Sequence, residues 1–120
     1  SRIKFIGYVS GIEKLDSLRY FSNLYFHGHT VGGTNPSLLE AMASEALIVA
    51  HENAFNKGVL GKDAHYFTDA SDVTNSIDRL EKEAFSSFIN NNSDKIRYKF
   101  SWKLVNTNYL KTLVKAYQSP

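Results

Sequence analysis

Apolar residues in this chain fall in short runs separated by stretches of helical spacing. Ile3–Val9 reads as a strand ending at Ser10-Gly11, and Glu13–Asn23 carries Leu15, Leu18, Tyr20 and Phe21 near a helical period. Leu24–His27 predicts a second strand, Pro36–Glu45 a helix and Leu47–His51 a third strand. Residues 54–60 read as a short helical turn closed by Gly61, and His65–Phe67 as a fourth, very short strand. A further helix is expected over Asp72–Lys82, after Asp69-Ala70-Ser71. The strands are apolar on both faces and each precedes a helix, the pattern of a parallel sheet covered on both sides.

The last third follows another rhythm. Residues 83–100 are helical in pattern, with a polar break at Asn90-Asn91-Asn92-Ser93. Ser101 then caps a final helix in which Trp102, Val105, Tyr109, Leu113 and Tyr117 recur near 3.6-residue spacing. Such a stripe predicts core or a contact with another domain rather than an aromatic ligand site. The fold class expected is α/β: a Rossmann-like parallel sheet with helices on both faces and a helical C-terminal tail, residues 1–120 forming one domain.

Composition narrows the partners. A chain of 120 residues suits one domain with a modest core. A net charge of +2 is too weak for an electrostatic nucleic-acid footprint. The absence of cysteine excludes disulfides and thiolate metal sites. The longest apolar run, Ala46–Ala50, is far too short for a transmembrane segment. The chain opens on Ser1 rather than Met, so an excised piece of a longer protein is expected.

Candidate chemistry gathers at residues 29–44. The strand through Phe26 feeds a polar loop containing Gly32 and Gly33, which runs into a helix announced by Asn35-Pro36. Asn35 suits the N-cap and Pro36 the first helical position, where its missing N–H has no helical partner. Backbone N–H groups around Thr34, Asn35, Ser37 and Leu38, with the Thr34 and Ser37 hydroxyls, would then face a phosphate at the positive end of the helix. The same features also describe a tight, well-capped strand–helix turn without a ligand. Glu40, one turn into the helix, would either complement the dipole or reach sugar hydroxyls. His27, His29 and His51 fall at the same strand ends and read as wall residues; no metal-ligand spacing accompanies them.

Phe26-His27, Gly33, Asn35 to Ala43 and Ala46–Ala50 together resemble the donor-binding lobe of GT-B fold glycosyltransferases, most closely the retaining family 4. The string Gly32 to Met42 is similar, more narrowly, to rhamnosyltransferase-like bacterial enzymes. Ile3–Val9, Asn56–Gly61 with His65–Phe67, and Phe100–Trp102 with Tyr109 match the flanks of that lobe, so the likeness spans nearly the whole chain.

The resemblance implies transfer of a hexose from a nucleotide diphosphate sugar, UDP- or dTDP-linked, to an acceptor hydroxyl with retention. It implies no catalytic acid–base residue in this lobe, no metal and no cofactor beyond the donor itself. Family glutamates seven residues apart bracket the loop. The second, a ribose contact, corresponds to Glu40, and the first, a donor-sugar contact, falls on Gly32, which has no carboxylate. His29 or Thr34 would have to grip the sugar instead. Loop amides at Gly33, Thr34 and Asn35 would hold the diphosphate, with Ser37 and Leu38 beside them. Asn35, replacing a family glycine, tolerates left-handed backbone. The basic pair that neutralises the diphosphate is not in this chain, and no Arg or Lys lies between Arg19 and Lys57. The expected partner is an N-terminal acceptor-binding lobe of the same protein, without which the chain would be inactive. Its expected location is cytoplasmic, at most peripheral at the inner membrane face. A non-catalytic nucleotide- or sugar-phosphate-binding α/β module is the main alternative, and a structural or interaction domain with the aromatic C-terminal helix as its contact surface is a third.

Overall fold

The computed structural model describes residues 2–118. Three short strands, β1 (Tyr25–His27), β2 (Ile48–His51) and β3 (His65–Phe67), form a parallel sheet in the order β1-β2-β3. Tyr25 pairs with Ile48 and His27 with Ala50; across β2, Val49 pairs with His65 and His51 with Phe67. Parallel strands need crossover connections, and helices α2 (Pro36–Ala43) and α3 (Ala54–Leu60) supply them. Around these lie α1 (Ile12–Phe21), α4 (Ala70–Arg79), a 3-10 turn over Lys82–Phe85, α5 (Ser86–Tyr98) and α6 (Trp102–Gln118).

Alternation along the strands divides the sheet faces. Tyr25, Ile48, Ala50 and Tyr66 share one face and meet Leu38, Ala41 and Met42 of α2, Val59 and Leu60 of α3, and Ile96 of α5. This is the core, and Ile48, Ala50, Ala41 and Met42 are fully excluded from water. Helix cover on the second face is uneven. His65 is met there by Phe85 and Phe88, whereas Phe26 is left 36% exposed beside Phe67.

Local chemistry sets the helix starts. Asn35, Asn53 and Asp69 each accept a hydrogen bond through the side chain, from the N–H of Ser37, Asn56 and Asp72 respectively. Several helix bounds differ from the pattern: α1 runs Ile12–Phe21 rather than over 13–23, α4 ends at Arg79 rather than Lys82, and one start follows from such a cap. Asp69 starts α4 at Ala70 rather than Asp72, and α2 stops at Ala43, before Glu45 adopts a positive φ of 56°.

Two larger expectations fail, and a third is narrowed. Ile3–Val9 is not a strand: no element is formed over it, Gly7 interrupts it at φ 68°, and Phe5 and Tyr8 are exposed. A positive φ turns the backbone off the extended line that a strand needs. The polar break at Asn90–Ser93 is absent, because α5 runs straight through it. There Asn91 Nδ2 donates to Asp63 Oδ1 and Asn92 Nδ2 to the Asp63 carbonyl, both at 2.8 Å. Asn92 is buried, so these residues are tertiary contacts and not helix breakers. Finally, of the two places expected for the aromatic stripe of α6, the core of this chain is excluded, since no residue of that helix is buried, which leaves a contact with another domain.

Candidate functional site

Because the strands are parallel, their C-terminal ends open on one edge, where ligands bind in open sheets of this kind. His27, His51 and the loop 28–35 lie there, joined by the start of α3. Asn53 and Asn56 fasten the loop. Their side-chain amides both donate to the His29 carbonyl, at 3.0 and 3.2 Å, and Asn56 donates in addition to the His51 carbonyl at 2.8 Å. Asn53 also caps α3, so one side chain links helix start and loop. Neither asparagine was singled out from the sequence, although Asn53 before a helical run is a legible cap signal.

Gly32 has φ 120°, a conformation that side-chain-bearing residues rarely adopt. A Cβ there would meet nothing within 4 Å, so the backbone angle and not crowding calls for glycine. Gly33 has no positive φ, and Asn35 sits at φ −88° as an ordinary N-cap; the left-handed tolerance expected of it is unused.

Three of the expected donors are spent inside the protein. The Ser37 N–H and the Ser37 hydroxyl both donate to Asn35 Oδ1, at 2.9 and 2.7 Å, and the Leu38 N–H donates to the Asn35 carbonyl. The N–H groups of Gly33, Thr34 and Asn35 have no acceptor among the described residues. Three amides therefore stay open at the loop–helix junction.

The hollow beside them is small, about 140 Å³, and lined by His29, Gly32, Gly33, Thr34, Asn53 and Phe55. Gly33, Thr34 and Phe55 also line an adjoining groove of about 350 Å³ that continues to Lys99 and Phe100. Lys99 corrects the expectation that no basic side chain comes near the loop. It is distant in sequence but shares a groove with Gly33 and Thr34, its ammonium 5.4 Å from the Phe100 ring centroid.

Glu40 is not brought to this hollow. Arg19 Nη2 donates to Glu40 Oε2 at 2.8 Å, and Glu40 lines a different cavity, of about 460 Å³, with Ile12, Asp16, Tyr20 and Phe21. A larger cavity, about 590 Å³, lies around Tyr20, Asn23, Glu45 and Lys82 at the other end of the strands. The sequence-predicted residues thus separate into a loop group (His29, Gly32, Gly33, Thr34, Asn35) and Glu40, which sits apart with Arg19.

His27 is buried, stacks on His29 with ring centroids 4.9 Å apart, and has no hydrogen-bond partner at Nε2. Burial, and secondarily the charge of His29, holds its pKa below the ordinary value. His65 is likewise lowered by burial, and its Nε2 also lacks a partner. Among the described residues no three His, Asp or Glu side chains are grouped to hold a metal ion, and no helix is long and apolar enough to cross a membrane. No family model matches the chain, and neither a curated protein nor a solved structure matches it significantly.

Proposed function

We propose that this chain is the donor-binding part of a GT-B type, family 4-like retaining glycosyltransferase, and that loop 28–35 holds the diphosphate of a nucleotide sugar. The observation that carries the reading is the set of three open amides, Gly33, Thr34 and Asn35, at the N-terminus of α2 on the C-terminal edge of a parallel sheet. Lys99, across the adjoining groove, supplies a cation of the kind a diphosphate needs. As the hexose leaves, negative charge grows on the diphosphate, and fixed amide dipoles with a lysine stabilise it without reorganising. No side chain in the hollow is asked to act as general base; the departing phosphate oxygen takes the acceptor proton. The acceptor site belongs to a further lobe.

A second reading, a non-catalytic nucleotide- or sugar-phosphate-binding module, is favoured by two observations. Gly32 offers no carboxylate for a donor sugar, and Glu40 is paired with Arg19 and lines another cavity.

Titration of the amide resonances with uridine and thymidine diphosphates tests the common premise. Shifts at Gly33, Thr34 and Asn35 are expected. No response at millimolar nucleotide would end both readings, while binding without turnover of any nucleotide sugar by a longer chain would leave the module.

A further inference from the structure

The His29 carbonyl stands at the start of the loop that presents the three open amides. It accepts two hydrogen bonds, from Asn53 Nδ2 at 3.0 Å and from Asn56 Nδ2 at 3.2 Å. The other end of the loop is fixed as well, since the Asn35 carbonyl and side chain accept the first N–H groups of α2. Only residues 30–34 lie between these two pins, and Gly32, at φ 120°, lets so short a span turn. Gly33 and Thr34 thus present their amides from a segment held at both ends.

Asn53 divides its side chain between two tasks. Its Oδ1 accepts the Asn56 N–H at 2.9 Å and starts α3. Nδ2 then faces the other way, with one hydrogen on the His29 carbonyl and the second toward His51 Nδ1 at 3.4 Å. His51 Nδ1 is therefore the acceptor, and the proton of the neutral ring sits on Nε2. Asn56 spends both of its amide hydrogens too, on the carbonyls of His29 and His51. Both asparagines line the hollow, yet neither has a side-chain N–H left to give an anion, and amide oxygens offer it nothing. Whatever they do for a bound phosphate they do through the loop.

We propose that Asn53 is a positioning residue for anion binding. Through the His29 carbonyl it holds the Gly33, Thr34 and Asn35 amides in the arrangement that a diphosphate meets, and this task is separable from its capping of α3. The proposal rests on the reading of loop 28–35 as the diphosphate site. Amides that are ordered before the ligand arrives lose less freedom on binding, so the gain appears as affinity and not as a new contact.

Serine caps a helix about as well as asparagine but has no amide N–H to reach His29. Asn53→Ser therefore keeps the start of α3 and frees the loop, whereas Asn53→Ala loses both. Dissociation constants for inorganic pyrophosphate and uridine diphosphate, read from amide shifts, are compared for wild type and the two variants beside their stability in urea. Asn53→Ser is expected to stay near wild-type stability and to bind both ligands about 3- to 10-fold more weakly, by the same factor. Its Gly33, Thr34 and Asn35 shifts at saturation should match wild type, because the ligand then orders the loop itself. Wild-type affinity in Asn53→Ser would make Asn53 a cap alone, and so would an affinity loss that only follows stability across the two variants. A larger loss for uridine diphosphate than for pyrophosphate, or altered shifts at saturation, would mean that Asn53 touches the ligand. Each of these results overturns the proposal and leaves the reading of the loop intact. No response of the wild-type protein to either ligand at millimolar concentration overturns that reading, and the proposal with it.

Discussion

Arg19 and Glu40 form an ion pair 2.8 Å long that ties α1 to α2, with the arginine side chain 11% exposed and the glutamate 44%. Arg19 also reaches Asp16 and lies over the Tyr25 ring. Its loss therefore removes packing as well as charge, while Glu40 is open enough for water to screen its share. Arg19→Met is expected to cost about 1–2 kcal/mol in urea denaturation and Glu40→Gln less than about 1 kcal/mol. Equal costs would contradict this division of roles.

The same pair bears on the donor reading. If Glu40 swings from Arg19 to a ribose when nucleotide binds, Glu40→Ala should weaken uridine diphosphate binding more than inorganic pyrophosphate binding. An equal loss for the two ligands would leave Glu40 as the structural partner of Arg19 alone.

Asn56 is buried and satisfies two carbonyls, of His29 and His51. Asn56→Ala strands the His51 carbonyl and leaves the His29 carbonyl to Asn53 alone, an expected loss of about 2 kcal/mol. Hydrogen exchange at residues 32–34 should accelerate in the same variant, because the loop loses one of its two fastenings to the start of α3. Unchanged exchange there would mean that Asn53 alone holds the loop.

Asp63 anchors α5. Burial by itself pushes its carboxyl up, but hydrogen bonds from Lys95 and Asn91, with the Lys95 charge, outweigh this and hold it below the usual carboxylate range. Lys95 Nζ lies 2.7 Å from Asp63 Oδ2, whose side chain is 8% exposed. Lys95→Met leaves that charge buried and is expected to cost about 3 kcal/mol. Replacing both residues by apolar ones should cost less than the single change, a comparison that a double-mutant cycle in urea decides.

Stability should fall on mild acidification. Both His27 and His65 are held below the ordinary value of 6.5, first by burial and, at His27, also by His29. Between pH 6.5 and the lower folded values the unfolded chain binds protons that the native state refuses. Their contribution is thus complete above pH 6.5 and shrinks as pH drops through the window below it. Unfolding free energies across that range should show the slope, and His65→Phe, which keeps the ring between Phe85 and Phe88, should flatten it. An unaltered slope in that variant would exclude His65.

Much of the local architecture was legible because it is written within a few residues. The Asn35-Pro36 helix start, the closing Gly61 and the Ser101 start of α6 all rest on contacts spanning at most four positions. The loop as a turn with open amides is of this kind, and so is the need for glycine at position 32. Where pattern failed, the deciding partner was far away. Asn90–Ser93 has the composition of a break, yet Asp63 turns it into helix surface.

The sequence by itself thus determined the order of elements from α1 onward and the starts of α2 and α6 at Asn35 and Ser101, since caps depend on backbone angles and near-neighbour hydrogen bonds. The tertiary structure decided the rest: that Glu40 faces Arg19 and not the loop, that Lys99 reaches the groove beside Gly33, that Ile3–Val9 forms no strand, and that the α6 stripe is not buried in this chain. Each of these turns on which distant side chain fills a given space. A stripe of Trp102, Tyr109 and Tyr117 reads alike whether it faces a core or a surface, and only the packed chain tells the two apart.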